Sequence, residues 1–324
     1  MNKNILIEVE NCLNDMIKCI QNISEDQLNL LTKYNKLVLP GGCVNGILIL
    51  GCLQYLYELN FLSNINNYVG TSIGSGICYL LAIGLTPMEI MIRLCTDQFM
   101  EKLSNINILS LGDGTGLCDW KVVDDWFNEL TLSKIGRHLT LKELYNEFNK
   151  EVVFVTYNYT MDKVEYLSHI NNPNMSCKMA FRLSSNIPIM FSRVKYLNCY
   201  YLDGGMVNNF ALNKIKGEDI ALAVGLNGTK RDTNKEFKIY EYIYDLICNF
   251  INKQGKDNNK KKIKNCDKII LNTNSNFSAM NLTITTNNKL NMFSDGYQQS
   301  KKQILELIYF KSNLKSNRFS INDT

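Results

Sequence analysis

The fold is decided around residue 72, in the stretch Tyr68-Val69-Gly70-Thr71-Ser72-Ile73-Gly74. Tyr68 and Val69 form an apolar run before the Gly-x-Ser-x-Gly pentapeptide, and a second apolar stretch follows at residues 77–85. A strand, a sharp turn and a helix in this order push a serine hydroxyl out of the fold, where it can act as a nucleophile. Because such a turn is strained, glycines are needed on both sides of the serine. Taken alone, the pentapeptide also fits a simple helix-capping turn.

A second glycine-rich turn lies upstream, in Leu39-Pro40-Gly41-Gly42-Cys43-Val44-Asn45-Gly46. It connects a short apolar strand to an apolar helix that ends near Leu59. Glycines at a helix N-terminus let consecutive backbone N–H groups point to one place, as an oxyanion hole requires. A phosphate-binding loop is the weaker interpretation, because the Gly-x4-Gly-Lys-Ser/Thr pattern is missing.

A third turn, Asp203-Gly204-Gly205, ends the apolar run at residues 196–202. A carboxylate beside two glycines is held in a tight turn, where a second group can approach it closely. On its own this tripeptide is most often a plain turn, since Asp and Gly are common turn residues. With the other two turns in the same chain, Asp203 becomes the candidate base for Ser72.

The order of these motifs resembles that of the patatin-like phospholipases. The matching motifs are Gly41-Gly42-Cys43-Val44-Asn45-Gly46, Gly70-Thr71-Ser72-Ile73-Gly74, Ser185-Asn186-Ile187-Pro188 and Asp203-Gly204-Gly205. The resemblance runs from about residue 36 to 227, and four ordered motifs are much more specific than one. It implies an α/β/α sandwich and a Ser-Asp dyad that cleaves acyl esters of lipids without calcium.

Carried over residue by residue, the resemblance implies that Ser72 is the nucleophile and Asp203 its partner. It also implies that the backbone amides of Gly41, Gly42 and Cys43 form the oxyanion hole, and that residues 185–188 shape the cleft.

The chain departs from the family pattern at two positions. The family usually has a third glycine where Cys43 stands, and a lysine or arginine where Asn45 stands. Cys43 can still donate its N–H if its backbone angles suit a residue with a Cβ. Asn45 either weakens the attraction for an anionic substrate or reflects a swapped surface contact, and the sequence leaves both open.

The histidine content favours a dyad independently of the resemblance. A Ser-His-Asp triad needs an imidazole to take the serine proton, and the chain offers only His138 and His169. The order found in α/β-hydrolases requires a histidine after Asp203, and the sequence has none there.

Apolar periodicity alternates between strands and helices along a chain of 324 residues that is 45% hydrophobic. Strands are predicted at 36–39, 67–70, 151–158, 164–168, 196–202, 219–227 and 268–272. Helices are predicted at 44–59, 73–83, 87–103, 120–130, 141–149, 176–184, 237–253 and 296–311. This alternation predicts an α/β fold, a three-layer α/β/α sandwich with a mostly parallel central sheet.

The predicted domain organisation has a catalytic core with shorter flanking parts. We expect a helical extension at 1–35, the catalytic domain at 36–312 and a tail at 313–324. A stretch rich in Lys and Asn near 253–266 reads as a mobile loop inserted in the domain. A solvated insertion is the first interpretation of this stretch, and a patch for anionic lipid headgroups is the second.

Composition points to a soluble, cytoplasmic protein that can bind membranes peripherally. No signal peptide is visible, and the longest apolar stretches are too short to cross a bilayer. Eleven scattered cysteines without a Cys-x-x-Cys pair suggest reduced thiols and no metal site. The net charge of +4 does not indicate a nucleic-acid partner.

The sequence therefore predicts a calcium-independent lipid acyl hydrolase of the phospholipase A type. It would act without cofactor or metal on glycerophospholipid esters at a membrane surface, through an acyl-enzyme intermediate on Ser72. Two alternatives stay open: a catalytically weak lipid-binding or scaffold protein, and a general esterase or transacylase on the same dyad.

Overall fold

One mixed β-sheet organises the protein. The computed structural model describes residues 34–113, 115–228, 239–273 and 284–319. The strands are β1 (Lys36–Leu39), β2 (Asn67–Thr71), β3 (Glu151–Asn158), β4 (Lys163–Leu167), β5 (Val194–Tyr196), β6 (Cys199–Asp203), β7 (Ala221–Asn227) and β8 (Cys266–Asn272). The hydrogen-bonded order is β5-β6-β3-β2-β1-β7-β8, with β4 also paired to β3.

Five neighbouring strands, β3, β2, β1, β7 and β8, run parallel. The loops that follow β1 and β2 therefore both leave the sheet at the carboxyl ends of its parallel strands. Strands β4 and β6 run antiparallel to β3. The predicted α/β fold with a mostly parallel central sheet is confirmed.

Helices flank the sheet and connect its strands. They are α1 (Gly46–Glu58), α2 (Ile73–Ala82), α3 (Pro87–Thr96), α4 (Phe99–Leu103), α5 (Trp120–Ile135), α6 (Leu141–Phe148), α7 (Cys177–Ser184), α8 (Gly205–Asn208), α9 (Ile239–Lys260) and α10 (Thr286–Phe319). Short 3-10 turns occur at Cys43–Asn45, Leu109–Leu111 and Leu212–Lys214. Within the described part of the chain, no helix is both long enough and apolar enough to span a bilayer.

Two apolar cores lie against the sheet because alternate strand residues point to opposite faces. Leu37 and Leu39 of β1 belong to the larger core, together with residues of α1, α2 and α10. Val38 of β1 belongs to the smaller core, which also contains Phe210 and Leu212.

Several predicted elements differ from those observed. The single strand predicted at 196–202 is a hairpin of β5 and β6, turned by Leu197 and Asn198, both with positive φ. The helix predicted at 87–103 is divided into α3 and α4 by Gln98, which has φ 51°. Helix α10 is longer at both ends than the predicted 296–311 and continues past residue 312, the predicted end of the domain.

The loop predicted near 253–266 is also partly wrong, since α9 continues to Lys260. The stretch is rich in polar residues, as loops are, yet Asn258 and Asn259 hold the helix to neighbouring segments. The predicted extension at 1–35 falls outside the described residues except for Tyr34 and Asn35.

Helix α1 is buried along almost its whole length, so it needs a cover on the side away from the sheet. Helix α10 supplies this cover and crosses α1 at two glycines. A Cβ on Gly51 would overlap the carbonyl oxygen of Phe293, and one on Gly296 would overlap that of Leu48. The two backbones are therefore too close for any side chain at the crossing.

We expect Gly51→Ala to lower the free energy of unfolding by about 1–3 kcal/mol, because the added methyl forces the two helices apart. Urea unfolding followed by circular dichroism measures this change. Gly217→Ala is the matched control, since a Cβ there meets nothing within 4 Å. An equal loss of stability in both variants would contradict the close crossing.

Candidate active site

Ser72 lies in the sharp turn between β2 and α2, with φ 54° and ψ −130°. Its backbone is in a region that residues with a side chain rarely adopt. A Cβ on Gly74 would overlap the carbonyl oxygen of Pro40, and one on Gly70 would overlap the backbone of Ser75. The predicted strand, turn and helix around Ser72 are confirmed, and both glycines are required by close backbone approach.

Two further serines hold this turn in place. The Ser72 N–H donates to the hydroxyl oxygen of Ser184 at 3.0 Å, and the Ser184 hydroxyl donates to the carbonyl oxygen of Val155 at 2.6 Å. The Ser75 hydroxyl donates to the Ser72 carbonyl oxygen at 2.7 Å. The strained turn is thus tied to both β3 and the end of α7.

Asp203 is brought near Ser72 because β2 and β6 both pair with β3. Thr71 of β2 pairs with Val155, and Asp203 of β6 pairs with the next residue, Thr156. Because β4 occupies the opposite edge of β3 at these positions, β2 and β6 share one edge and meet end to end. Ser72 thus follows a strand that runs parallel to β3, whereas Asp203 ends a strand that runs antiparallel to it.

The Asp203 carboxyl group is only 1% exposed. The Gly205 N–H donates to its Oδ1 at 2.7 Å, and Oδ2 makes no hydrogen bond within the described residues. Burial raises the pKa of Asp203 to about 6, while the hydroxyl of Ser72 and the Gly205 N–H act in the opposite direction. A carboxylate with this pKa can accept and return a proton near neutral pH.

One small pocket of about 30 Å³ collects the site residues expected from the sequence. Its walls include Gly41, Gly42, Cys43, Asn45, Ser72, Ile187, Asp203, Asn209, Cys248 and Ile251. The structure therefore brings together the three glycine turns, although they lie far apart in the sequence.

The glycine loop is held by Asn209. The Gly41 N–H donates to Asn209 Oδ1 at 3.0 Å, and Asn209 Nδ2 donates to the Gly41 carbonyl oxygen at 3.2 Å. The N–H of Gly41 is thus engaged by Asn209 in this structure, which speaks against its predicted place among the oxyanion donors. The Gly42 N–H has no hydrogen-bond partner among the described residues.

Cys43 takes the backbone conformation of a glycine, with φ 50°. The cysteine therefore fits at the position where the family usually has a glycine, but its backbone must adopt the unfavourable left-handed conformation. Cys43 also lines two spaces, the small pocket and a larger apolar cavity beside it.

The apolar cavity has a volume of about 110 Å³ and shares Cys43, Ser72 and Ile187 with the small pocket. Its other walls come from α1 to α5 and from residues near 181–191, and include Ile47, Leu50, Ile77, Leu80, Ile90, Leu94, Phe99, Met100, Leu103, Trp120, Val123, Trp126, Phe127, Phe181 and Phe191. An apolar chain can therefore reach the hydroxyl of Ser72 from this side.

A buried arginine supports the segment before Asp203. Arg182 donates to Asn186 Oδ1 at 2.6 Å, and its guanidinium lies 4.2 Å from the ring centre of Trp120. The carbonyl oxygen of Asn186 accepts from the Asp203 N–H at 2.9 Å, and its Nδ2 donates to the Tyr201 carbonyl oxygen. Burial lowers the pKa of Arg182 to about 10.

Sequence reasoning missed Ser184 and Arg182 as contributors to the site, and it did not connect Asn209 with the glycine loop. Asn209 follows the short helix α8, but no local pattern shows that its amide reaches a loop 168 residues away. The two histidines line neither space. His169 stacks on Tyr145 with its Nδ1 3.7 Å from Glu151.

Comparison with known proteins agrees with the sequence motifs. The family model described as patatin-like phospholipase matches residues 37–214, which is more than half of the chain. The chain belongs to the patatin-like phospholipase family.

Two viral proteins match most of this patatin-like chain. A probable lipid hydrolase, 463L, from Invertebrate iridescent virus 6 is 29% identical over 83% of this chain and 90% of its own length. The uncharacterised protein R571 of Acanthamoeba polyphaga mimivirus is 24% identical over 88% of this chain and 97% of its own length.

A bacterial structure shares the fold. VipD from Legionella pneumophila superposes with a TM-score of 0.52 and 17% identity, over 85% of this chain and 67% of that chain. At this identity the likeness shows the fold alone.

We expect Asn209→Ala to lower the free energy of unfolding by about 1–3 kcal/mol, because it leaves the N–H and carbonyl groups of Gly41 buried without partners. Urea unfolding measures the change. Asn213→Ala is the control, since Asn213 is exposed and hydrogen-bonds to Tyr166 instead. Unchanged stability in Asn209→Ala would mean that the glycine loop does not need this contact.

Proposed function

We propose that this protein hydrolyses acyl esters of lipids, with Ser72 as the nucleophile and Asp203 as the general base. The observation that carries the proposal is that both residues line one pocket whose wall is shared with an apolar cavity. The name of the iridescent virus relative, a probable lipid hydrolase, supports the same class of reaction.

The first half of the reaction forms an acyl-enzyme. Asp203 takes the proton of the Ser72 hydroxyl as its oxygen attacks the carbonyl carbon of the ester. The tetrahedral intermediate then collapses, the bond to the leaving alcohol breaks, and Asp203 returns the proton to that alcohol. For a phospholipid the leaving alcohol is the lysophospholipid.

The second half releases the fatty acid. Asp203 takes a proton from a water molecule, which attacks the carbonyl carbon of the acyl-enzyme. Collapse breaks the bond to the Ser72 oxygen, which recovers its proton from Asp203. The pKa of Asp203, raised to about 6 by burial, suits a group that must accept and donate in turn.

The oxyanion of both intermediates lies beside the glycine loop. We propose the N–H of Gly42 as a donor, with Cys43 as the second donor that the family resemblance implies. Each such donor contributes about 3 kcal/mol to transition-state stabilisation in comparable sites. Gly41 contributes indirectly, because its contacts with Asn209 fix the loop.

The walls of the cavity favour an acyl chain as the substrate group that is held beside Ser72. The cavity is lined almost entirely by aliphatic and aromatic side chains. The base and the donors are protein groups, so the proposed mechanism needs no calcium. We therefore assign a calcium-independent phospholipase A-type reaction on glycerophospholipids.

A fluorophosphonate probe tests the dyad. We expect Ser72→Ala to abolish covalent labelling and Asp203→Asn to slow it by about 10²- to 10⁴-fold, because the serine then lacks its base. In-gel fluorescence over time measures the rate. His169→Asn is the control and is expected to label like the natural chain, since His169 lines neither space.

Labelling that persists in Ser72→Ala would remove Ser72 as the nucleophile. If the natural chain is never labelled, the proposed hydrolysis itself is contradicted.

The raised pKa of Asp203 predicts a pH dependence of both activity and stability. Only the carboxylate is a base, so hydrolysis is expected to fall about tenfold per pH unit below about pH 6 and to level off above it. The Asp203 carboxyl group binds its proton more tightly in the folded state, with a pKa of about 6, than in the unfolded chain, with a pKa of 3.8. Its contribution to the stability of the folded state therefore falls as the pH rises from 3.8 to about 6.

Asp203→Asn removes this titration. The variant is expected to gain thermal stability relative to the natural chain at pH 8 but not at pH 4, measured by thermal unfolding at both values. An equal difference at the two pH values would contradict the raised pKa.

A further inference from the structure

Helix α9 lies beside the candidate active site, and one face of it is fixed there. Cys248 and Ile251 line the small pocket. Asn258 Nδ2 donates to the Phe210 carbonyl oxygen at 3.1 Å, and Asn259 Nδ2 donates to the Leu226 carbonyl oxygen at 2.9 Å. This inner face holds the helix against the segments that follow β6 and form β7.

The opposite face of α9 presents apolar side chains to solvent. Tyr242, Leu246 and Phe250 are 48%, 37% and 65% exposed. Their spacing of four residues puts them in one stripe along the helix. At about 100° per residue, this stripe lies on the side of the helix away from Ile251.

Exposed lysines continue from this apolar stripe. Lys253 and Lys260 follow at helical spacing on the same side of α9, and Lys261, Lys262 and Lys264 come directly after it. The one acidic side chain in residues 253–264 is Asp257. The apolar stripe is thus followed by a basic segment, which begins in the last turns of α9 and continues past the helix to Lys264.

We infer that the outer face of α9 docks the protein on an anionic lipid surface. Aromatic and aliphatic side chains on one stripe, with lysines beside them, fit a helix that lies in the headgroup region of a bilayer. The lysines then face the negative lipid headgroups, and the apolar side chains enter the boundary of the acyl chains. Charge complementarity favours such a surface over a neutral partner.

Docking by α9 holds the small pocket on the inner side of the docked helix, about 10 Å behind the lipid contact. Cys248 and Ile251 lie on the same helix as the docking stripe, so the membrane-bound helix also forms a wall of the pocket. Binding does not depend on the proposed hydrolysis, although its benefit to the enzyme rests on that proposed function.

Co-sedimentation with vesicles tests the inference. The full chain carrying Ser72→Ala is used, so that no lipid is hydrolysed during the measurement. We expect binding to phosphatidylcholine vesicles that contain phosphatidylserine, and much weaker binding to phosphatidylcholine alone. Leu246→Ser with Phe250→Ser is expected to weaken binding by about tenfold or more.

Lysine variants test the basic segment at the end of α9 separately. Replacing Lys260, Lys261, Lys262 and Lys264 by glutamine is expected to weaken binding by about fivefold per lysine, and added salt is expected to weaken binding of the unsubstituted helix. These side chains are exposed, so their loss leaves the packing of the core intact.

A pair of tryptophan variants locates the contact. Phe310 on α10 is 61% exposed and provides a matched control for Phe250. The fluorescence of Phe250→Trp is expected to shift to shorter wavelength when anionic vesicles are added, and that of Phe310→Trp is not. Phe310→Ser is likewise expected to bind vesicles like its parent.

Three outcomes would overturn the inference. The first is that the α9 variants bind vesicles as well as their parent does, and the second is that Phe310→Ser loses as much vesicle binding as they do. The third is that the protein does not bind vesicles but forms a dimer, which the α9 substitutions disrupt. Hydrolysis of a soluble short-chain ester is measured separately on the chain with Ser72 intact. Its absence would count against the proposed function, whereas loss of vesicle binding counts only against the docking helix.

Discussion

The active-site arrangement depends on the way one edge of β3 is shared. Strand β2 pairs with this edge as far as Val155, and β6 takes the edge from Thr156 onwards. The two strands point toward each other, so the residues at their ends, Ser72 and Asp203, are brought face to face. Neither residue could be moved along its strand by one position without turning its side chain to the other face of the sheet.

Asn209 connects this junction to the glycine loop. Its amide group pairs with both backbone groups of Gly41, and Asn209 directly follows α8, the short helix after Asp203. The candidate base and the glycine loop are therefore linked through the short helix α8 and the side chain of Asn209. A serine with no imidazole beside it depends strongly on such a fixed geometry, because the carboxylate must take the proton from a hydroxyl that a small movement would carry out of reach.

Much of the fold could be predicted from the sequence because apolar periodicity and glycine turns are local signals. The strands at Lys36–Leu39 and Glu151–Asn158 have the predicted bounds, and the turn around Ser72 has the expected form. Long-range pairing carries no such local signal. The antiparallel direction of β6 and the use of the Gly41 amide by Asn209 depend on contacts between distant segments, so the sequence alone did not reveal them.

The crossing of α1 and α10 has a consequence for how the protein is made. Helix α1 is apolar on all sides, yet its outer cover emerges from the ribosome only after every strand of the sheet has been synthesised. Until Gly296 can pack against Leu48, the nascent chain carries an apolar helix that α10 does not yet cover. Completion of the core must therefore be a late event, and molecular chaperones have a long interval in which to hold this helix.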